Sequence, residues 1–149
     1  MRIALGADHA GLSLKDALRA HLEGAGHAVA DLGTHGPEST DYPDWAAQVG
    51  GAVASGEADF GILVCGTGVG MAMAANKIRG VRAACCNNEF IARLARQHND
   101  ANVLTLGARE IALPHAASIA DLFLATAFEG GRHQRRIDKI AGLESRSPS

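Results

Sequence analysis

The chain has 149 residues, which is enough for one domain with its own core, and 47% of them are hydrophobic,. Its 14 basic and 16 acidic side chains leave a formal net charge of only -2, so neither a nucleic-acid partner attracted by bulk charge nor a disordered chain is expected. An aromatic content of 4% together with 18 glycines favours an α/β protein over an aromatic-rich β-sandwich,.

Strand and helix signals alternate along the chain. Short apolar stretches predict five strands, at residues 2–7, 28–32, 60–65, 81–85 and 103–106,. Apolar residues at helical spacing predict helices at 14–22, 45–54, 71–76, 89–96, 114–127 and 137–143,. This alternation predicts a Rossmann-like three-layer sandwich, with a five-stranded parallel sheet, right-handed crossovers and helices on both faces.

The domain organisation follows from the same pattern. A single domain is expected over residues 1–143, followed by a polar, flexible tail at 144–149,. The glycines and basic side chains of residues 130–136 predict a break before the last helix,.

The sequence also bears on the compartment. No apolar run reaches the ~18 residues that a membrane-spanning helix needs, and Asp8 follows the apolar N-terminus too soon for a signal peptide,. The cysteines at 65, 85 and 86 lack the spacing of a disulfide framework,. We therefore expect a cytoplasmic protein with reduced thiols and no membrane partner.

Cys65 stands where the third predicted strand meets a glycine-rich loop, residues 66–70, and the start of a helix. Ligands of open parallel sheets bind at the carboxyl ends of the strands. Free backbone N–H groups there favour an anion, such as a phosphate, an enediolate or a thiolate. Cys65 is thus a candidate base or nucleophile. The alternatives are a small buried hydrophobe and a tight turn without a ligand.

The glycine spacing itself does not identify a nucleotide site. It reads GxGxG rather than GxGxxG, follows the third strand rather than the first, and lacks the lysine and hydroxyl residue of a Walker A motif,.

Two histidine-containing pairs, Asp8-His9 and His98-Asn99, end predicted elements, and we expect them near one edge of the sheet. A metal site made by His9, His98 and Cys65 is disfavoured because neither HxxxH nor paired-cysteine spacing is present. Near the C-terminus, Arg132 and Arg136 belong to a cationic cluster that suits phosphate oxygens, the alternative being a solvated face.

Seven motifs taken together resemble the ribose-5-phosphate isomerase B family, and they extend over nearly all of the chain before the tail. They are GADHAG (6–11), DYPD (41–44), CGTGVGM (65–71), ANKIRG (75–80), HNDAN (98–102), LGAR (106–109) and FEGGRH (128–133). The resemblance implies an aldose-ketose isomerase that interconverts ribose 5-phosphate and ribulose 5-phosphate without metal or organic cofactor. It also implies a homodimer, or a dimer of dimers, with the active site at the subunit interface.

The resemblance further implies a role for each site residue. Cys65 matches the general base, His98 matches the residue that opens the sugar ring, and Thr67 would assist proton transfer between the substrate oxygens. The backbone N–H groups that would hold the enediolate belong to Gly66, Gly68, Val69 and Gly70. The phosphate-binding positions are His9, Arg109, Arg132 and Arg136, and the sugar-contacting positions are Asp8 and Asn99. Some family members carry a glutamate base just after the loop, where this chain has Met71, so the chain resembles the cysteine type.

Two other functions remain open. A hexose-phosphate isomerase of the same family, acting on allose 6-phosphate or galactose 6-phosphate, would need a longer pocket. A non-catalytic sugar-phosphate sensor would use the same anion sites, but binding alone requires neither a base at Cys65 nor an acid at His98.

Overall fold

The computed structural model describes residues 1–145, so residues 146–149 of the predicted tail lie outside the described residues. Within 1–145 the chain forms five strands and six helices. The strands are β1 (Arg2–Ala7), β2 (Ala28–Asp31), β3 (Phe60–Cys65), β4 (Ala83–Cys85) and β5 (Val103–Gly107). The helices are α1 (Leu12–Gly24), α2 (Tyr42–Ala54), α3 (Val69–Ala75), α4 (Glu89–Asn99), α5 (Leu113–Ala125) and α6 (Arg132–Glu144).

The five strands form one parallel sheet in the order β2-β1-β3-β5-β4. The chain passes from β1 outward to β2 and then returns to β3 on the other side of β1, so the direction of winding reverses between β1 and β3. The predicted Rossmann-like fold is confirmed. Ligands of such folds bind in the crevice outside the carboxyl ends of the strands where the winding reverses, which here are β1 and β3,.

Helices cover both faces of the sheet and create two apolar cores. Helices α1, α4 and α5 pack on one face, and α2 and α3 on the other. Along β3, Ile62 and Val64 contribute to the first core, whereas Leu63 and Cys65 contribute to the second, because side chains alternate across a strand. Burial on both faces explains why β3 is apolar at nearly every position, which made it easy to predict.

Lys15 is a charged residue on the side of the first core, and its side chain is fully buried. Its Nζ donates to both Asp31 carboxylate oxygens, at 2.8 and 2.7 Å, and to the Thr34 carbonyl at 2.8 Å. Asp31 also accepts the Gly33 N–H at 3.0 Å. Burial by itself raises the pKa of Asp31, but these donors outweigh it and hold the pKa below its ordinary value,. The ion pair thus ties α1 to the turn after β2.

Helix α6 begins at Arg132 rather than at residue 137. His133 and Ile137, one helical turn apart, are both buried and attach this first turn to the domain,. The break predicted at 130–136 is therefore wrong for residues 132–136. The change of direction occurs at Gly130 and Gly131, whose φ values are 66° and 56°,.

Helix α6 also extends through Glu144, which the prediction assigned to the tail. The Glu144 carboxylate accepts the Gly80 N–H at 3.1 and 3.2 Å. Strand β4 is shorter than predicted because the Arg82 N–H donates to the Asn102 side chain at 2.8 Å instead of to a neighbouring strand. Among the described residues, no helix has the length and apolar character needed to cross a membrane.

Candidate active site

Cys65 ends β3 beside the crevice, and its side chain is buried. Its sulfur accepts the backbone N–H of Gly68 at 3.1 Å. A donor aimed at the sulfur can stabilise negative charge that develops there. The strand therefore delivers a cysteine that is shielded from bulk water and already paired with a backbone donor.

The glycine-rich loop can adopt this shape because of Gly68, whose φ of 79° lies in the left-handed region,. A Cβ at this position would lie 3.0 Å from both the Cys85 sulfur and the Leu106 carbonyl carbon. The buried Thr105 hydroxyl donates to the Gly68 carbonyl at 2.8 Å. These contacts hold the loop against the end of β5.

Arg109 lies beside the same loop. Its backbone N–H donates to the Gly66 carbonyl at 3.0 Å, and the Ala108 N–H donates to the Cys65 carbonyl at 2.8 Å. The Arg109 guanidinium passes so close that a Cβ on Gly66 would lie 3.2 Å from Nη1. Thr67 is exposed at the tip of the loop, where its Oγ1 accepts the Val69 N–H at 3.4 Å. A cation and a hydroxyl thus flank the loop donors.

Tyr42 is a neighbour of the loop to which the sequence assigned no role. Its ring packs against Gly70, where a Cβ would come within 2.8 Å of the ring carbon Cζ. The side chain is 40% exposed. The DYPD motif contains Tyr42, but its position relative to residues 66–70 could not be predicted because a long loop precedes α2.

The turn after β1 positions Asp8 and His9. Asp8 is buried, and its Oδ1 accepts the N–H groups of Ala10 at 3.0 Å and Gly11 at 3.1 Å. The exposed His9 accepts the Thr40 N–H at Nδ1, at 3.2 Å, which leaves the proton on Nε2,. The imidazole therefore presents an N–H donor to a ligand.

We use the name strand-end group for the site residues at the carboxyl edge of the sheet. As the sequence predicted, each of them lies at the carboxyl end of β1, β3 or β5 or shortly after it. The group consists of Asp8, His9, Cys65, Gly66, Thr67, Gly68, Val69, Gly70 and Arg109.

His98 and Asn99 do not join this group, and the expectation that they lie at the same edge as Asp8-His9 is wrong. Helix α4 runs back from the carboxyl end of β4 and ends before β5 begins, so its last residues lie at the amino edge of the sheet. Residue 107 pairs with residue 65 and residue 103 with residue 61. At about 3.3 Å per residue, β5 alone separates the two edges by roughly 13 Å.

A second group, which we call the α4–α6 group, surrounds His98. The His98 and His133 rings stack with centroids 4.3 Å apart and an interplanar angle of 10°. Glu129 Oε2 lies 3.9 Å from His98 Nε2 and 3.7 Å from His133 Nε2. Arg132 and Arg136 are exposed one turn apart on α6, and the group is completed by Asn99. His9, His98 and Cys65, the combination disfavoured as a metal site from the sequence, are divided between the two edges.

His133 and Glu129 had no individual role in the sequence analysis, although the FEGGRH motif contains both. Burial lowers the pKa of His133, and the charges of His98, Arg132 and Arg136 lower it further against the opposing effect of Glu129,. The imidazole of His133 is therefore neutral near neutral pH.

Cys85 and Cys86 lie outside both groups. Burial raises the pKa of Cys86 to about 12, which makes its thiol unreactive, and burial also raises the pKa of Cys85,. All three cysteines are free thiols, as predicted.

Comparison with known proteins identifies the family of the chain. A family model described as Ribose/Galactose Isomerase matches residues 3–140. The chain is 51% identical over 145 residues to ribose-5-phosphate isomerase B of Escherichia coli (strain K12), with 97% of each chain covered. A solved structure of ribose-5-phosphate isomerase B from Clostridium thermocellum superposes with a TM-score of 0.96 at 50% identity, again over 97% of each chain. The Mycoplasma genitalium ribose-5-phosphate isomerase B with bound ribulose 5-phosphate gives a TM-score of 0.94 at 47% identity, covering 98% of this chain and 97% of that chain. The chain therefore belongs to the ribose/galactose isomerase family.

Proposed function

We propose that the protein is an aldose-ketose isomerase that interconverts ribose 5-phosphate and ribulose 5-phosphate. The observation that carries this proposal is the buried Cys65 sulfur, held 3.1 Å from the Gly68 N–H within a loop of backbone donors. The Escherichia coli and Clostridium thermocellum relatives, which are 51% and 50% identical to this chain, bear the name ribose-5-phosphate isomerase B. A cysteine base next to an anion-binding loop suits an enediolate reaction.

Ring opening is the first chemical step. His98 accepts the proton of the C1 hydroxyl and delivers a proton to the ring oxygen as the C1–O ring bond breaks, which leaves an open-chain aldehyde. Imidazole as a chemical group is suited to both transfers because it gains and loses a proton readily near neutral pH.

Proton transfer at carbon follows. The Cys65 thiolate removes the C2 proton, and the electron pair moves onto the C1 oxygen to form an enediolate. The N–H groups of residues 66–70 stabilise this charge. Thr67 passes a proton between the two substrate oxygens, and the Cys65 thiol returns its proton to C1, which yields the ketose and restores the thiolate.

Charged and polar side chains would hold the rest of the substrate. Arg109, Arg132 and Arg136 have the planar donor geometry that suits phosphate oxygens, and the His9 Nε2–H adds a further donor. Asp8 and Asn99 are assigned to the sugar hydroxyls.

We further propose that each active site takes residues from two chains. Ring opening and C2 deprotonation occur on adjacent atoms of one pentose, yet His98 and Cys65 lie at opposite edges of the sheet. A separation of roughly 13 Å exceeds the ~3 Å reach of proton transfer. The α4–α6 group of one chain must therefore face the strand-end group of another, in a homodimer or a dimer of dimers.

An assay under metal-free conditions tests the reaction class. Purified protein is given ribose 5-phosphate, allose 6-phosphate or galactose 6-phosphate in D₂O, and ketose formation and C2 deuterium exchange are followed. Fastest turnover of ribose 5-phosphate supports the proposal. Faster turnover of a hexose phosphate would assign the hexose activity instead, and binding without exchange would identify a sensor.

The cytoplasmic location remains a prediction from the sequence.

A further inference from the structure

Three potential metal ligands meet in the α4–α6 group. His98, Glu129 and His133 each place one ligand atom within 4.8 Å of the other two. Glu129 Oε2 lies 3.9 Å from His98 Nε2 and 3.7 Å from His133 Nε2. We call these three residues the His-Glu-His cluster.

The backbone fixes this cluster. The Glu129 N–H donates to the Gln97 carbonyl at 3.0 Å, which attaches the segment before α6 to the last turn of α4. Gly130 then turns the chain, and the His133 N–H donates to the Gly130 carbonyl at 3.1 Å. His133 itself is only 6% exposed. The fold therefore fixes the backbone positions of the three residues relative to one another.

The ligand set has the chemistry of a zinc site. Two imidazoles and one carboxylate bind Zn²⁺ tetrahedrally, with a fourth position open to water. With Zn²⁺–ligand bonds of about 2.0–2.1 Å, neighbouring ligand atoms lie about 3.4 Å apart. The Glu129 oxygen is already 3.9 and 3.7 Å from the two Nε2 atoms. The two imidazoles stack with an interplanar angle of 10°, so one ring has to rotate out of the stack before both in-plane lone pairs point at one ion.

We propose that the His-Glu-His cluster binds Zn²⁺ and that the bound ion inhibits the enzyme. The inhibitory part rests on the proposed function, in which His98 opens the sugar ring. Ligation occupies the Nε2 lone pair of His98 and fixes the ring beside Glu129, so the imidazole loses its freedom to transfer protons. The site is inhibitory and reversible rather than structural, because it has three protein ligands and the cationic Arg132 and Arg136 lie nearby.

Metal binding is tested without reference to activity. Zn²⁺ is titrated into metal-free protein by calorimetry, and Co²⁺ is titrated with absorption spectroscopy. The expected result is one ion per chain, with the dissociation constant raised at least ~10-fold in Glu129→Gln, since even partners outside the ligand shell contribute that much. Glu129 is exposed, so this variant should fold, and His133→Gln provides a second test.

His115→Gln is the matched control. His115 Nε2 also lies 3.0 Å from a glutamate, Glu89, but that pair offers two ligands rather than three. Its loss should leave the dissociation constant unchanged. Equal weakening in His115→Gln and Glu129→Gln, or no weakening in Glu129→Gln, would overturn the site.

Cysteine ligation is the competing explanation, because thiolates also bind zinc. Co²⁺ bound to sulfur gives an intense charge-transfer band in the near ultraviolet, which nitrogen and oxygen ligands do not give. Such a band, or loss of the ion in Cys65→Ser, would contradict the proposal. Retention of the ion in Cys65→Ser supports it.

Inhibition is then measured as the Zn²⁺ concentration that halves each protein's own initial rate. Glu129→Gln should need at least ~10-fold more Zn²⁺ than the unaltered protein, in line with its weaker binding. Binding without inhibition of an active enzyme would overturn the inhibitory link. A protein that binds Zn²⁺ at the cluster but isomerises no sugar phosphate would refute the proposed function and leave the metal site standing.

Discussion

At the residue scale, the same Cys→Ser substitution can be made at the buried Cys65 and at the exposed Cys85, and the two effects on turnover compared. Cys65→Ser is expected to reduce isomerisation almost to nothing, because a serine hydroxyl is nearly the same size but a far weaker base than a thiolate. Ribose 5-phosphate binding and the unfolding midpoint should change little. Steady-state turnover and calorimetric binding measure the two effects separately.

Cys85→Ser serves as the control. Cys85 is exposed at the end of β4 and touches the loop only through its sulfur, which donates to the Thr67 carbonyl at 3.5 Å. Most of the turnover should survive. Near-normal turnover in Cys65→Ser would remove that residue from the mechanism.

His98 permits a more selective test, because its proposed task ends when the ring has opened. His98→Asn should slow the consumption of ribose 5-phosphate, which is mainly cyclic, by about 10²- to 10⁴-fold, the usual contribution of a general acid or base. Enediolate formation from an acyclic analogue should be spared. Parallel rates on both substrates are the measurement, and an equal loss on both would assign His98 to proton transfer at carbon or to holding the site together.

At the element scale, α6 presents arginines on different sides. Arg132→Ala or Arg136→Ala should weaken substrate binding by roughly tenfold to a hundredfold, since a charge-assisted hydrogen bond contributes on the order of 1.5 to 3 kcal/mol. Lysine should restore only part of the affinity, because it lacks the planar donor pair. Michaelis constants and inhibition by inorganic phosphate would report the change.

Arg135→Ala is the matched control on the same helix. With 100° between successive residues, Arg135 lies opposite the buried His133 and Ile137, and so faces away from the domain,. Its loss should not alter phosphate inhibition. If the Arg132 and Arg136 variants behave like Arg135→Ala, the cationic cluster is a solvated face.

The connection between α1 and β2 depends on an ion pair inside the protein. Lys15→Met would leave the Asp31 carboxylate buried without its ammonium partner, which should cost about 3–5 kcal/mol,. Denaturant unfolding would measure the loss. Arg2→Ala, which removes an exposed ion pair with Asp59 far from Asp31, should lower the free energy of unfolding much less,. Equal losses would mean that the buried pair contributes no more than a surface one.

The same pair predicts the direction of a pH effect. The pKa of Asp31 is lower in the folded protein than in the unfolded chain. Its contribution to the free energy of unfolding is therefore complete above the unfolded pKa of about 3.9, and is lost as the pH falls through the folded pKa.

The elements show how far the sequence could be interpreted. Strands β1 and β3 were predicted with the observed bounds because apolar runs covered on both faces leave a clear signal,. The start of α6 was missed because the residues between the buried His133 and Ile137 are polar or basic, so the sequence there lacks an apolar pattern. The strand-end group was predicted because its members directly follow strands. The position of His98 was not, because that prediction overlooked that a crossover helix ends at the amino edge of the sheet.

At the scale of the whole molecule, the split between the two groups predicts that two inactive chains can restore activity. In a symmetric dimer of Cys65→Ser with His98→Asn, one site carries both substitutions and the other carries neither. Random mixing of equal amounts should recover about one quarter of the wild-type sites. Turnover of ribose 5-phosphate, measured after the two variants are unfolded and refolded together, tests this.

The control pairs two variants of the strand-end group, Cys65→Ser and Asp8→Asn. Every site of that mixed dimer carries one defect, so mixing should restore nothing. Recovery in this control, or none in the first mixture, would argue that each chain works alone.

The placement of His98 and Cys65 at opposite edges of the sheet has a consequence for how long the subunits stay together. A sugar phosphate that touches groups from two chains is itself a bridge between them, and a ligand that binds only the assembled form stabilises that form by about 2.7 kcal/mol at a hundred times its dissociation constant. Substrate supply would then govern assembly as well as turnover. At a high concentration of sugar phosphate the chains would stay paired at dilutions at which they would separate without it. The amount of active enzyme would therefore fall most steeply when the sugar phosphate is scarce.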